Sequence, residues 1–447
     1  MTRKQTKIMA RRLRKKRIAT ILLIIIGTTG WITRGCVSRC TSSTDKAKTE
    51  DSLPKAHLND SITNALTEGK AYHEMDSLVE RYLKRWEING AQLAITRNDS
   101  LLYARGFGFS DLEKGAKMEP NVLMRFASVS KLITAVGIMK LWEMKKLRMG
   151  DKVFGPKGIL NDTTYCNSIK DQRYYDITVE QLLRHQGGFN NYAGDPVSNT
   201  RFIMMQNHLT QAPDHKTLMR ILLKRHLGYT PGQARCYSNL GYMILSMIIE
   251  KKSKMKYEDF MQKYVLYPAG CYDMHIAGTY LKNRRKNETH YYMHKGSIPV
   301  YEYNNSGRMV EKCYGDTDLP RLSGAGAWSG STVELARLIA SIDGMPHVKD
   351  ILSPQSVKFM TTEQPDHNFS IGWNYTPQPK SGKPWIRTGS LAGTSAIILK
   401  YPNGECWILV TNTSTWKGHG FSNDTLAFFE KLRKKYMATM PRRDLFI

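Results

Sequence analysis

Segments that read as β-strands lie near both ends of this chain, and the long stretch between them is mostly helical in pattern. Near the first end, "AQLAITRNDSLLYARGFGF" reads as two strands joined by a turn at Arg97 to Ser100. Near the second, "FSIGWNY", "WIRTGS", "TSAIILKY" and "CWILVTN" read as further strands, with Pro402, Asn403 and Gly404 forming one of the turns. Each set is flanked by an amphipathic helix. Met75, Leu78, Val79, Tyr82, Leu83 and Trp86 recur at helical spacing within 71–89, and Asp424 to Tyr436 repeats the pattern. Strands this far apart bury their faces by pairing with one another. The expected class is therefore α+β, an α/β sandwich whose antiparallel sheet is built from both chain ends and flanked by helices, with a mainly α-helical domain inserted. The folded domain is placed at 71–440, with sheet portions at about 71–127 and 325–440 and the helical insert at about 128–324.

The 447 residues are 41% hydrophobic and 10% aromatic, an ordinary globular composition. Charge is less ordinary, at a formal +27. The basic segment 1–17 holds nine of the cations and no acid, and without it the chain still carries +18. Such a surface attracts nucleic acid, anionic lipid or an anionic wall polymer. No helix-turn-helix, zinc-finger or RNP-like pattern is present, so no nucleic-acid partner is expected. Residues 18–32, "IATILLIIIGTTGWI", are uncharged and read as a membrane anchor or signal segment, the basic end being cytoplasmic. An A-x-A-like cleavage site is absent, and Arg34 spoils a lipoprotein-type site before Cys36, which favours an anchor. Residues 33–70 read as a polar linker, with the folded part outside the cytoplasm. Seven cysteines without C-x-x-C spacing suggest neither a disulfide scaffold nor a zinc site.

Three short motifs carry chemistry. In "RFASVSKLITAVGIMKLWE", Ser128 and Lys131 share one face if the run from about Ala127 is helical, and Leu132, Ile133 and Val136 dry their surroundings. A desolvated lysine can take the serine proton, and a helix N-terminus favours developing negative charge. Taken alone, S-x-x-K is a weak signal that reads more readily as a helix cap followed by a surface lysine. In "PGQARCYSNLGYMILSMIIE", Tyr237 to Asn239 lie between a Pro-Gly turn and an apolar helical run. A phenolate near a lysine can relay a proton, and an adjacent amide can orient a carbonyl. In "WIRTGSLAGTSAIILKY", Gly389 permits close approach, an exposed Arg387 beside Thr388 suits a substrate carboxylate, and a free strand-edge N–H can serve as half of an oxyanion hole.

In this order and at this spacing, the motifs resemble those of the serine β-lactamase and penicillin-binding-protein superfamily, in particular the class C β-lactamase-related branch with its Y-S-N. "KLWEMKKLRMGDKV", "ITVEQLLRHQGGF" and "GAGAWSGSTVELARLI" resemble further family segments, so the likeness spans about 71–436. The resemblance implies a β-lactamase/transpeptidase-like fold and a cofactor-free hydrolase acting by an acyl-enzyme. It makes Ser128 the nucleophile, Lys131 its proton acceptor and Tyr237 a partner in acylation and deacylation. Asn239 then contacts the substrate amide, Arg387 and Thr388 lie by its carboxylate or leaving group, Gly389 admits the ligand, and the N–H groups of Ser128 and Ser390 hold the oxyanion. One departure stands out: Arg387 replaces the usual Lys or His, and it keeps its proton at any working pH.

The same apparatus could cleave β-lactams, trim D-amino-acid peptides or hydrolyse simple esters. A peptidoglycan-derived or other small-molecule substrate is expected, with the membrane as a partner through the N-terminal segment. A non-catalytic sensor is disfavoured because Ser128, Lys131 and Tyr237 are all present. An α/β-hydrolase is disfavoured by the absence of G-x-S-x-G. His290 and His294 lack the glutamate of a zinc hydrolase and read as solvated loop residues, so no metal is expected.

Overall fold

In the computed structural model, residues 61–446 are described, apart from 193, 363–369 and 419. The segments 1–17 and 18–32 and most of the 33–70 linker lie outside them. Among the described residues, no helix is long and apolar enough to cross a membrane.

The central sheet joins the two ends of the chain. Strands β1 (Gly90–Arg97) and β2 (Ser100–Asp111) form a hairpin. Its two-residue turn puts Asn98 and Asp99 at φ 49° and 64°, the left-handed region that short hairpins require. Short strands β3 (Ala116–Lys117), β4 (Met124–Arg125), β5 (His275–Ile276), β6 (Val300–Tyr301), β7 (Met309–Val310) and β8 (Trp328–Gly330) follow. The long strands β9 (Trp385–Leu391), β10 (Thr394–Lys400) and β11 (Glu405–Thr411) come last. The sheet order is β3-β2-β1-β11-β10-β9, with β1 antiparallel to β11 from Ala91↔Thr411 to Arg97↔Glu405.

Side chains alternate across this sheet and sort into two cores. On the outer face, Leu93, Ile95, Tyr103, Ile397, Leu399, Trp407 and Leu409 pack with helices α1 (Lys70–Arg85) and α7 (Gly420–Tyr436) through Met75, Val79, Leu83 and Phe429. On the inner face, Ala94, Ala104, Ala396, Ile398, Ile408 and Val410 belong to a larger core. That core takes in α2 (Ser130–Glu143), α3 (Val179–Leu183), α4 (Asn239–Ser253), α5 (Tyr257–Met261) and α6 (Thr332–Ala340). Helices α2 and α4 are buried over most of their length and carry apolar residues on most sides there. A Cβ on Gly137 would lie 2.4 Å from the Met261 sulfur, so the glycine lets α2 and α5 approach closely.

Two boundaries and one strand differ from expectation. Residues 61–69 are docked, not tethering: Ile62 and Thr67 are buried, and the Asn64 side chain donates to the Met118 carbonyl at 2.8 Å and accepts the Gly106 N–H at 2.7 Å. The domain also runs past 440, where Leu445 N–H bonds the Leu101 carbonyl at 2.8 Å. Both segments are polar enough to read as loops, yet their polar groups find partners on the sheet rim. Finally, the described part of "FSIGWNY" forms no strand, only a bridge from Tyr375 to Ile386. Gly372, at φ 78° against Leu132 and Ala135, breaks the extended backbone there.

Candidate active site

The nucleophile candidate is aimed by a small second sheet. Strands β4 and β5 flank β8, and the chain leaving β4 donates from Phe126 N–H to the Trp328 carbonyl at 2.9 Å. It then turns at Ala127, whose φ of 49° is unusual for a residue with a side chain. Ser128 therefore sits in a single 3-10 turn, Ala127–Val129, rather than within the α-helix that starts at Ser130. The turn is fastened from behind, where Trp328 N–H bonds the Ser130 hydroxyl at 3.0 Å.

Lys131 lies beneath, with no exposed surface. Its ammonium donates to the Ser128 hydroxyl at 3.2 Å, the Asn239 side-chain oxygen at 2.7 Å and the Ala325 carbonyl at 2.6 Å. It also stands 4.7 Å from the centre of the Tyr237 ring. Burial pulls its pKa below the usual lysine value, a nearby Tyr237 phenolate opposes that, and the Arg387 charge adds to the lowering. Burial would raise the Tyr237 phenol, but the charges of Lys131 and Arg387 and hydrogen bonds from Lys131 and Ser128 outweigh it and bring the group down to about 8. S-x-x-K and Y-S-N, 106 residues apart from Lys131 to Tyr237, thus meet at one hydroxyl.

Helix α4 presents the second motif from its first turn. The Ser238 hydroxyl caps the helix by accepting Gly241 N–H at 3.1 Å, while Asn239 N–H donates to the Asp195 carboxylate at 2.7 Å. Asp195 was not singled out in the sequence, because it lies 44 residues from its partner.

The third motif lies along β9, which forms the edge of the main sheet. Gly389 leans on the nucleophile turn: a Cβ there would lie 2.4 Å from the Phe126 carbonyl and 2.9 Å from Ser128 N. Arg387 and Gly389 share the inner face with their partners Ile398 and Ala396, whereas Thr388 and Ser390 pair with Ile397 and Ser395 on the other. Arg387 is not the exposed cation expected. It is 1% exposed, and its guanidinium donates to the Ser128 backbone carbonyl. A carboxylate-binding role does not fit that burial. The parity of a strand relative to its neighbours decides such burial, and a short motif does not carry it.

Backbone direction on β9 can be followed. Ile386 N–H bonds Tyr375, away from β10, and Thr388 N–H bonds the Asn374 side chain at 2.8 Å. By the two-residue alternation of an antiparallel ladder, Ser390 N–H points out along the same edge, toward the seam with Ser128.

The expectation for the histidine pair changes in part. His290 is a loop residue as expected, but it is half-buried and lies 3.2 Å from Glu113 and 3.4 Å from Asp111. These three could hold a cation by spacing, yet Asp111 already faces Lys114 and Arg284. His294 bonds the Lys295 carbonyl instead. The described cysteines are all unpaired by disulfides; Cys36 and Cys40 lie outside the described residues.

Residues 75–430 match the family described as Beta-lactamase. The chain belongs to the Beta-lactamase family. Within it, penicillin-binding protein 4* of Bacillus subtilis (strain 168) is 25% identical over 340 residues, covering 73% of this chain and 68% of that protein. Protein flp of Staphylococcus aureus (strain MRSA252) is 26% identical over 230 residues, 51% of this chain, and the chain spans only 42% of flp. The crystal structure of D-amino acid amidase from Ochrobactrum anthropi SV3, complexed with L-phenylalanine amide, matches with a TM-score of 0.62 at 17% identity, over 82% of this chain and 99% of that one. The fold is thus of the β-lactamase/transpeptidase type, and the Beta-lactamase assignment indicates chemistry of the serine-hydrolase kind.

Proposed function

We propose that this protein cleaves an amide or ester through an acyl-enzyme on Ser128, with a D-amino-acid peptide of the cell wall or a β-lactam as substrate. The observation that carries this reading is the fully buried Lys131 ammonium within hydrogen-bond reach of Ser128, Asn239 and the Ala325 carbonyl. In the proposed reaction, Ser128 Oγ attacks the substrate carbonyl carbon as its proton passes to neutral Lys131 or to the Tyr237 phenolate. The carbonyl oxygen takes up the electron pair and is held by the N–H groups of Ser128 and Ser390. Collapse expels the leaving group, which accepts the proton from the same pair. Water then adds to the acyl carbon and regenerates Ser128. Asn239 would orient the substrate amide, and Thr388 and Ser390 would border the departing side.

Residues 18–32 would hold the domain at the outer side of the cell membrane, raising its effective concentration near envelope substrates. The test is intact-mass spectrometry of residues 51–447 with a penicillin, beside Ser128→Ala. A penicilloyl adduct on the wild type, absent from the variant, supports the acyl-enzyme. Its persistence indicates a penicillin-sensitive peptidase and its decay a β-lactamase. Adduct on Ser128→Ala would move the nucleophile elsewhere. Without adduct or hydrolysed drug, a small-ester esterase or a non-catalytic sensor becomes the better reading.

A further inference from the structure

His185 lies directly behind Tyr237 and is used by no step above. Its ring centre is 4.6 Å from that of the Tyr237 ring, with 34° between the planes, and 5.1 Å from Tyr242. Its polar contacts bracket the tyrosine. The His185 backbone carbonyl accepts Cys236 N–H at 3.1 Å, and its Nδ1 accepts Ser238 N–H at 3.2 Å. One residue thus grips the chain immediately before and immediately after Tyr237 and backs its ring as well.

The grip depends on a backbone conformation that costs energy. His185 has φ of 59°, in the left-handed region that is uncommon for any residue with a side chain, although histidine, like asparagine and aspartate, enters it more readily than most. The neighbouring backbone holds it there: Gln186 N–H bonds the Gln181 carbonyl at 2.7 Å, Gly232 N–H bonds the Gln186 carbonyl at 2.9 Å, and Gly228 N–H bonds the Gly188 carbonyl at 2.9 Å. The segment before Tyr237 is therefore zipped onto residues 185–188. Because Nδ1 must accept, the ring must carry no proton on that atom. Burial and the charges of Lys131, Arg387 and Arg235 all hold His185 well below the ordinary histidine range, in keeping with that requirement.

We propose that His185 is the positioning residue that holds the Tyr237 phenol against Lys131 and Ser128, through its Nδ1 bond to Ser238 N–H and its tilted ring contact with Tyr237. The phenol then meets two cations, Lys131 and Arg387, while Arg235 acts on His185 and Asp195 on Lys131. A tyrosine released from this clamp would leave those cations and regain a more ordinary affinity for its proton. The proposal rests on the reading of Tyr237 as a proton-handling group.

The experiment measures acylation rate against pH, with a chromogenic β-lactam or activated ester, for wild type, His185→Phe, His185→Asn and Tyr237→Phe, with a melting curve for each. Phenylalanine keeps a ring but has no acceptor. Asparagine tolerates the left-handed backbone and places Oδ1 near the position of Nδ1. The clamp predicts that His185→Phe acylates 10-fold or more slowly, with its acid limb moved to higher pH by on the order of one unit. His185→Asn should keep the wild-type limb and recover most of the rate. A His185→Phe protein that melts cooperatively and keeps the wild-type rate and limb overturns the proposal. So does a His185→Asn protein that folds but is as slow as His185→Phe with an equally displaced limb. If Tyr237→Phe itself acylates at the wild-type rate, the proton-handling role of Tyr237 fails, whereas a slow Tyr237→Phe beside an unaffected His185→Phe removes the clamp alone.

Discussion

The two faces of the central sheet are built from the same strands, yet they differ in kind. The outer face meets α1 and α7 with aromatic and aliphatic side chains, including Tyr103, Trp407 and Phe429. The inner face carries buried cations, Arg387 on the sheet and Lys131 on the helix against it, each at 1% exposure or less. Three of the ten described left-handed residues with side chains border the site on that side: Ala127 before the nucleophile, His185 beside Tyr237 and Ser323 in the turn leading to Ala325. Buried charge and strained backbone both cost stability, and each persists only where the surroundings over-determine it. The outer face therefore supplies cohesion, and the inner face holds an arrangement that would not form by itself.

That contrast can be broken from either side. Lys131→Met removes the buried ammonium at similar volume. Acylation of Ser128 should fall by roughly 10²–10⁴-fold, while the melting temperature changes little, because relief of a buried charge offsets the acceptors left unpaired at Asn239 and the Ala325 carbonyl. Stopped-flow acylation and a thermal scan check both halves, and a variant that loses stability together with activity would make Lys131 a structural element.

Trp407→Ala makes the opposite prediction on the outer face. The ring is fully buried and packs 5.4 Å from Phe429, so truncation should cost about 3–5 kcal/mol in denaturant unfolding. The acylation rate of the remaining folded protein should not change. A slowed rate at full folding would couple the two faces and end the division of labour.

The smallest effect is a shift along the pH axis. Arg387 lowers the affinity of both Tyr237 and Lys131 for protons. If either one in its deprotonated form accepts the serine proton, acylation rises with pH, with Tyr237 turning over at about 8. Arg387→Met should then move that acid limb upward by on the order of one unit. An unmoved limb would show that the charge of Arg387 does not reach the proton acceptor.

The sequence was most informative where the geometry is local. Ser128 and Lys131 are three residues apart, and Tyr237 and Asn239 flank a helix start, so their spacing nearly determines how they sit. The hairpin turn at Asn98 and Asp99 and the helices with one apolar stripe were legible for the same reason. Arg387 was misjudged because its burial depends on which face β9 turns toward α2, a matter of pairing with β10. The roles of His185 and Asp195 are not legible in the sequence, because each acts through a residue 44 or more positions away. Ser370 to Tyr375 has strand composition, but Gly372 packed on α2 bends it out of the ladder.

The pairing of β1 with β11 has a consequence in time. Arg97 lies opposite Glu405, so the ribosome must add some three hundred residues before the hairpin β1–β2 meets its neighbour. At ordinary synthesis speeds of about 5–20 residues per second, that is a wait of roughly 15–60 s with an apolar strand edge unpaired. A chain stopped before β11 never closes the sheet, and one completed slowly offers that edge to other chains. Keeping the nascent chain from aggregating until its last strands arrive is thus a requirement that this topology sets for whatever machinery delivers it.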